Sequence, residues 1–474
     1  MQSSLFRRAA SSFAPAATNA ARALTKHQHI VHSVVDSSWP AHAPVRMASK
    51  KVHMGLRACA VAVLLSTSSV WAAPATDSIP GRTIESLLEL AKERNPELTS
   101  MRLEVEASAE RVQPAGALPD PKLRVELMDI TKSGEQNATI LPSRVESTKY
   151  TFMQDVPWFG KRDLKMAIAQ QEVEGAKGRA AAIWADLSFR IKSGYAQLYY
   201  IHEIERLTRE ILGIMARLEA VAQGRYASGL AAQQDVIRAQ VEQSMLRNEL
   251  LGLDGEKKQM QARINTALAR HAEAPLAQPE RLRALPLPAS LTLAALEDRV
   301  RARNPQLSSE DARIRGAESA RDLAQRNRYP DFTFGVAPTQ YGSSLRQWEL
   351  MVEVNIPLQQ TSRRSQEREA QAMLSSAQAR KEATVNQVLG ELAENLAGLE
   401  VARRSSALIA DSLLPQAEVT FQAALPGYEN GKLDFATLLD AQRQIRQAKQ
   451  NLIKAQTDAQ MRLADIEKLL GEEL

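Results

Sequence analysis

Residues 83–98 read TIESLLELAKERNPEL, and residues 292–307 read TLAALEDRVRARNPQL. Each stretch predicts a short helix that leads into an Asn-Pro pair, followed by a longer helix. The two pairs begin at Asn95 and Asn304, which lie 209 residues apart. Unrelated helices often contain similar short sequences, so one matching Asn-Pro pair is not sufficient evidence of a repeat.

Two more matches follow in the same order along the chain. The segment Asp155-Val156-Pro157 returns 200 residues later as Asn355-Ile356-Pro357. The segment Tyr226-Ala227-Ser228-Gly229 returns 202 residues later as Tyr428-Glu429-Asn430-Gly431. An ordered series at a nearly constant offset indicates an internal duplication. We therefore predict two repeats, at 73–290 and 291–474.

Each repeat contains two short segments in which apolar and polar residues alternate, the pattern of β-strands. Aromatic residues flank these segments, as in transmembrane β-barrels, although a small soluble sheet with one wet face would show the same alternation. Four strands cannot close a barrel in lipid alone, so a spanning sheet would need strands from several chains. The predicted strands are 122–128 and 148–156 in the first repeat, and 331–337 and 347–356 in the second, with polar loops at 129–146 and 338–344.

After its strands, each repeat becomes a long helical hairpin, at 161–270 and 361–471. Proline is absent from Arg162 to Gly224 and from Ser362 to Leu413, and a helix of about 60 residues is about 90 Å long. A glycine at each tip permits the reversal of the chain. Such hairpins form either a soluble rod or the wall of a tunnel.

The N-terminus has the features of an export signal. Residues 54–72 combine nearby basic residues, a short apolar run and small residues ahead of a cleavage site after Ala72, although the run could also be a buried helix segment. We interpret 1–46 as a non-native upstream extension, with initiation at Met47 or Met54, although its Arg- and Ser-rich composition also fits a transit peptide. Removal of 1–72 takes away eight basic residues and one acidic residue, so the remaining chain is slightly acidic and loses its resemblance to nucleic-acid-binding proteins.

The residue types and motifs that catalysis or metal binding requires are scarce. The only cysteine, Cys59, lies in the predicted signal, and the exported part keeps two histidines, His202 and His271. The sequence contains no phosphate-binding loop, nucleophile motif or cluster of methionines. We therefore predict that the protein is not an enzyme, has no cofactor or metal site, and does not bind nucleic acid.

The arrangement resembles the TolC family of outer-membrane efflux proteins over residues 83–472. Its most specific residues are Leu118–Pro121 before the first strand, Gln154–Arg162 after the second, and the turns Arg225–Leu230 and Tyr428–Gly431. The segment Pro157–Arg162 is most similar to the heavy-metal branch. The resemblance implies a mainly α fold with a small antiparallel β part, in which three chains form one outer-membrane β-barrel and a periplasmic α-barrel.

The resemblance also implies partners and site residues. The homotrimer would contact outer-membrane lipid, a periplasmic adaptor and an inner-membrane pump of the resistance-nodulation-division type, and would act as a passive exit duct for metal cations or small toxic compounds. A rival interpretation is a soluble periplasmic coiled-coil adaptor or structural rod. The matched positions are Tyr428, Asp440 and Asp235 at the entrance gate; Gly229, Leu230, Gly431 and Lys432 at adaptor-contacting tips; and the membrane-interface aromatics Trp158, Phe159, Tyr329 and Trp348.

The sequence departs from the family at two gate positions. Leu433 replaces an arginine, and Thr437 replaces an acidic residue. We therefore expect an entrance that is held more weakly or built differently. A ring of three Asp440 carboxylates would attract cations, although Asp440, and still more Asp235, could instead be favourable charges near the start of a helix.

Overall fold

A computed structural model describes residues 79–135 and 137–474. The predicted upstream extension and signal peptide at 1–72 lie outside the described residues. The described chain is mainly helical with one small antiparallel sheet, as predicted. The helices are α1 (Ile84–Arg94), α2 (Pro96–Glu110), α3 (Val112–Gly116), α4 (Lys161–Ala227), α5 (Gln233–Ala267), α6 (Leu293–Arg303), α7 (Pro305–Arg326), α8 (Gln360–Leu408), α9 (Leu414–Glu429) and α10 (Phe435–Leu470), and the strands are β1 (Lys122–Met128), β2 (Ser147–Val156), β3 (Asp331–Tyr341) and β4 (Ser344–Asn355).

The four strands pair in chain order, β1-β2-β3-β4, and each pair is antiparallel. β3 and β4 run further than their predicted ranges, because Thr339, Gln340 and Tyr341 join the ladder instead of the predicted loop. A tight turn remains, where Gly342 has a φ of 62°. The polar composition of this segment led to the prediction of a loop, although threonine and tyrosine are common in half-buried strands.

Helices and strands together form a row of four columns. Column 1 contains α5, α2, α3 and β1; column 2 contains α4 and β2; column 3 contains α10, α7 and β3; column 4 contains α9, α8 and β4. α4 packs against α2 and α5 on one side and against α7 and α10 on the other, while α8 packs on α7 and α10. The strand order repeats this helix order, so columns 1 and 4 are the edges of the row in the described chain.

The duplicated asparagines join helices end to end within columns 1 and 3. Asn95 accepts hydrogen bonds from the backbone N–H groups of Glu97 and Leu98, and so caps α2. Its side-chain amide donates to the carbonyl oxygen of Ala267, the last residue of α5, at 2.8 Å. One side chain therefore satisfies the end of one helix and the start of the next, which places α2 as the continuation of α5.

Columns 2 and 3 approach closely where α4 crosses α7. A Cβ added to Gly178 would lie 3.0 Å from both the backbone nitrogen and the Cβ of Ser309. Any side chain at this position would push the helices apart. The crossing joins the first repeat to the second, because α4 and α7 belong to different repeats.

A buried charge cluster supports the same junction. Glu467 near the end of α10 is 4% exposed and accepts hydrogen bonds from Lys192 of α4 and from both terminal nitrogens of Arg283. Burial alone would raise the pKa of Glu467, but the hydrogen bonds from Arg283 and Lys192 outweigh it and hold the pKa below its usual value. The charged Glu467 carboxylate thus ties the second repeat to the first and to the segment between them.

A belt formed by α1, α6 and residues 269–292 covers one side of the helical wall at this level. Leu87 of α1 packs with Ile191 and Tyr195 of α4, and the Tyr195 hydroxyl donates to the carbonyl oxygens of Arg82 and Arg281. Column 4 is less regular, because a π-helical turn at Ile409–Leu413 separates α8 from α9. Among the described helices, none combines the length and the apolar character that a membrane-crossing helix requires.

Candidate functional site

The sheet has one apolar face and one polar face. The register places Leu123, Phe152, Val336 and Leu350 in a single row across all four strands, and every one of these side chains is at least 38% exposed. Large apolar side chains thus face outward, and no described part of the chain covers them. Exposed apolar rows of this size indicate contact with lipid or another protein.

The opposite face carries charged and polar side chains. Lys149 of β2 forms an ion pair of 2.5 Å with Glu349 of β4, across the intervening strand β3. Asp155 accepts a hydrogen bond from Thr333 at 2.6 Å on the same face. A strand set with apolar residues on one face and polar residues on the other has the character of a transmembrane barrel wall with a wet interior.

Three of the four predicted interface aromatics lie together at the end of the sheet nearest the helices. The ring of Trp158 stacks on Tyr329 with centroids 5.1 Å apart, and its edge contact with Phe159 measures 5.9 Å. Trp348 lies elsewhere, on β4 opposite Pro338, and is 68% exposed. Seven residues of strand separate Pro338 from Asp331, or about 24 Å along β3. This spacing is close to the apolar thickness of transmembrane barrels, about 25 Å.

The segment Pro157–Arg162 fastens the sheet to the helices. Gly160 has a φ of 81°, a conformation that other residues rarely adopt, and it begins α4. Lys161 is 5% exposed, and its ammonium donates to Asp331 at 2.8 Å. Arg162 donates to the carbonyl oxygen of Gly116 at 2.8 Å. These contacts hold β2 and α4 against columns 3 and 1.

At the other end of the molecule, Arg225 connects the two hairpin tips. Its guanidinium donates to the carbonyl oxygen of Leu230 in the first tip at 3.1 Å, and to that of Glu429 in the second tip. The guanidinium also lies 5.0 Å from the centre of the Tyr428 ring. The sequence motif contains Arg225, but its role was missed because its partners in the second tip, Tyr428 and Glu429, lie about 200 residues away.

The predicted gate residues are only partly brought together. Tyr428 is 2% exposed and packs edge-on against Phe435. Burial raises the pKa of the Tyr428 hydroxyl, the nearby Asp235 carboxylate raises it further, and Arg225 lowers it. The hydroxyl has no partner with regular hydrogen-bond geometry. Asp440 lies apart from this group, with an exposed side chain 3.7 Å from Arg443.

The predicted adaptor-contacting residues are exposed at the two tips. Gly229 and Gly431 have φ values of 71° and 72°, so both turns use the left-handed conformation that glycine allows. Leu230 and Lys432 follow these glycines on the surface. Leu433 lies over Gly427, where an added Cβ would be 2.6 Å from the Cδ1 atom of Leu433.

A groove of about 1180 Å³ follows the helices α2, α4, α7 and α8. Charges of both signs line it in equal number: Glu104, Glu172, Glu310 and Glu369, with Arg111, Arg179, Arg313 and Arg380. Within 79–135 and 137–474, no cluster of three or more His, Cys, Asp or Glu residues could hold a metal ion. The helical wall therefore offers a polar surface of balanced charge.

Comparisons with known proteins agree with this architecture. A family model described as outer membrane efflux protein matches residues 87–270 and 296–472, and so covers both repeats. The cobalt-zinc-cadmium resistance protein CzcC of Cupriavidus metallidurans is 24% identical over 394 residues, which span 82% of this chain and 90% of CzcC.

Two solved structures have the same fold. The outer membrane protein VceC of Vibrio cholerae aligns with a TM-score of 0.70 at 18% identity, over 82% of this chain and 96% of VceC. CusC, whose structures describe folding and transmembrane channel formation, aligns with a TM-score of 0.71 at 15% identity, over 83% of this chain and 93% of CusC.

Proposed function

The chain belongs to the outer membrane efflux protein family, whose members are efflux channels and not enzymes, and we propose that three copies of it close into one passive exit duct. The open edges of the sheet carry this proposal. β1 and β4 each have one unpaired side in the described chain, and their outer faces are apolar. An unpaired strand edge in lipid leaves backbone groups without hydrogen bonds, so β1 of one copy must meet β4 of the next.

Three copies would supply twelve strands to one barrel and twelve helical columns below it. The apolar rows would face lipid, and the charged face with Lys149 and Glu349 would line the water-filled interior. The aromatic group around Trp158 would lie at the periplasmic membrane surface, and Trp348 at the outer surface. The family match to both repeats weighs against a soluble periplasmic adaptor or rod.

The helical tips would form the periplasmic entrance. Gly229, Leu230, Gly431 and Lys432 would contact a periplasmic adaptor, which would connect the duct to an inner-membrane pump of the resistance-nodulation-division type. Asp235 and Tyr428, whose ring contacts the Arg225 guanidinium, would keep the entrance closed within each copy, and Asp440 would add a ring of negative charge.

We further propose divalent metal cations as the exported substrate. The support is the relative CzcC, named for resistance to cobalt, zinc and cadmium. The balanced charges of the groove would let hydrated ions pass without holding them. Loss of the gene should then lower the tolerated concentration of these cations. Unchanged tolerance of all three metals, in cells that depend on this duct, would exclude them as substrates.

The test of the duct is the mass of the assembly in mild detergent, extracted from outer membranes of cells that express the chain from Met54. A protein mass of three mature chains, with ion conductance in planar bilayers, would support the proposal. A single chain recovered from the soluble periplasmic fraction would contradict it.

A further inference from the structure

Columns 1 and 4 expose apolar side chains that nothing within residues 79–135 and 137–474 covers. On α5, Ile237, Val241 and Met245 are each at least 48% exposed and lie four residues apart, opposite the face that packs on α4. On α8, Val401 and Leu408 are both 67% exposed and lie opposite the face that packs on α10. Two uncovered stripes on opposite edges of one row are complementary surfaces of a ring.

The outward face of α5 also contains two glycines, Gly252 and Gly255, against which no described residue packs. A Cβ added to Gly252 or Gly255 would meet no atom within 4 Å. Each glycine inside a helix costs about 1 kcal/mol relative to alanine. Two such residues three positions apart leave a shallow gap in the surface of α5, and only a close approach from outside the chain would use it.

The heights of these residues along the columns can be compared. The two tips lie side by side because Arg225 contacts both. With a rise of 1.5 Å per residue, Gly252 and Gly255 lie about 28 and 33 Å above the start of α5, and Leu408 lies about 31 Å above the end of α9. Rotation about an axis parallel to the columns preserves height, so these positions meet in a ring.

Two further pairs match in the same way. Met245 lies about 18 Å above the tip on α5, and the exposed Val419 lies about 15 Å above it on α9. Arg263 lies at about 45 Å on α5, and Glu400, which also pairs with Arg404 on its own helix, lies at about 43 Å on α8, so opposite charges stand at the same height on the two edges. The apolar side chains, the glycine gap and the opposite charges thus lie at matching heights on the two edges.

We propose that neighbouring copies meet along a seam in which Leu408 of one copy sits in the gap over Gly252 and Gly255 of the next, between the Met245–Val419 and Arg263–Glu400 contacts. The partner is a second copy of this chain. This inference rests on the proposed three-copy duct, and it adds the register of its helical interface.

The absence of cysteine after residue 59 permits a direct test. The variant Gly255→Cys with Leu408→Cys should yield a disulfide-linked band of three chains on non-reducing gels of outer membranes, while each single variant runs as one chain. The matched control is Gly255→Cys with Val419→Cys, whose positions differ by about 18 Å in height. The control should remain uncrosslinked.

The possible results separate the two proposals. Cross-linking of the control pair, or of neither pair in an assembly that still has the mass of three chains, would overturn this seam and leave the duct intact. Recovery of single chains by mass would overturn the duct together with the seam.

A second experiment enlarges the side chain at position 255 and shortens the opposing side chain at position 408. Gly255→Leu fills the gap and should lower the yield of the three-chain assembly about tenfold or more. Adding Leu408→Ala removes the opposing side chain and should restore most of the yield. A Gly255→Leu variant that assembles normally would contradict the proposal.

Discussion

Asn304 donates its side-chain amide to the carbonyl oxygen of Leu469 at 2.7 Å, and its side-chain oxygen accepts from the backbone N–H of Leu307 at 2.9 Å. Asn95 makes the corresponding contacts with Ala267 and the start of α2. The duplicated Asn-Pro pairs are therefore equivalent joints, each between the end of a hairpin and the helix that leads into the sheet.

Asn304→Ala and Asn95→Ala should each destabilise the protein by about 1–2 kcal/mol through loss of the helix cap, with a further cost for the carbonyl group left unpaired. The two variants should show similar losses because the joints are equivalent. Thermal unfolding of the detergent-solubilised protein measures them. Asn137→Ala, in an exposed loop, is the control and should leave the unfolding temperature unchanged. A neutral Asn304→Ala would show that the joint does not contribute to stability.

Glu467→Gln should destabilise the junction of the repeats by roughly 1–3 kcal/mol, because the partly buried Arg283 would lose its carboxylate partner and the buried Lys192 would keep only Glu473. The exposed Glu89 of α1 provides the matched control Glu89→Gln, which should be neutral. Differential scanning calorimetry would detect the difference. Equal unfolding temperatures for the two variants would contradict the assignment.

The Glu467 carboxylate should also make the stability of the protein depend on pH. Its pKa is lower in the folded protein than in the unfolded chain, so its stabilising contribution is complete above the unfolded value of about 4.3 and is lost as the pH falls through the folded pKa. The stability difference between wild type and Glu467→Gln should therefore be constant near neutral pH and shrink below about pH 4. A difference that grows on acidification would contradict this prediction.

Leu350→Arg places a charge on the apolar face of the sheet and should cost about 2–4 kcal/mol near the middle of a bilayer. The fraction of the protein that reaches the outer membrane should fall accordingly. Glu353→Arg, on the opposite face of the same strand, should insert normally because that face meets water. Quantitative blots of outer-membrane fractions test both variants, and equal insertion would contradict the assignment of the two faces.

Arg225→Ala should loosen the periplasmic entrance. The guanidinium makes one hydrogen bond within the first tip, to Leu230, and one to Glu429 of the second tip, and hydrogen bonds to charged groups contribute about 1.5–3 kcal/mol each. Loss of one such bond would raise the open population at least about tenfold, which single-channel conductance measures. Arg238→Ala, which removes an exposed arginine from α5, is the control. Identical conductance of the two variants would exclude Arg225 from the closed entrance.

Much of the fold was predictable because it is local. Alternation of Leu123, Val125 and Leu127 marked β1, and the repeated Asn-Pro pairs marked the joints at Asn95 and Asn304. The sequence could not indicate that all four strands form one sheet, since pairing of Phe152 with Val336 joins residues 184 positions apart. The resemblance identified the tips, but the gate and adaptor residues among them stay predictions.

The buried ion pair and the irregular helical turn could not be predicted from the sequence, for one physical reason. Lys192 and Glu467 are ordinary charged residues on long helices, and only their packing removes them from water. The π-helical turn at Ile409–Leu413 carries no proline or glycine that would mark it. Long-range partners and small changes of helix pitch leave no local pattern in a sequence.

The crossing of Gly178 over Ser309 affects how such a ring could assemble. The crossing joins the two repeats, which residues 268–292 also connect covalently. The two repeats therefore meet at the high effective concentration of an intramolecular encounter, which is in the millimolar range for short flexible tethers. Six repeats made as separate chains would have to collide and be retained one by one. The duplicated chain leaves two such association steps instead of five, so the assembly rate falls much less steeply as the protein becomes dilute.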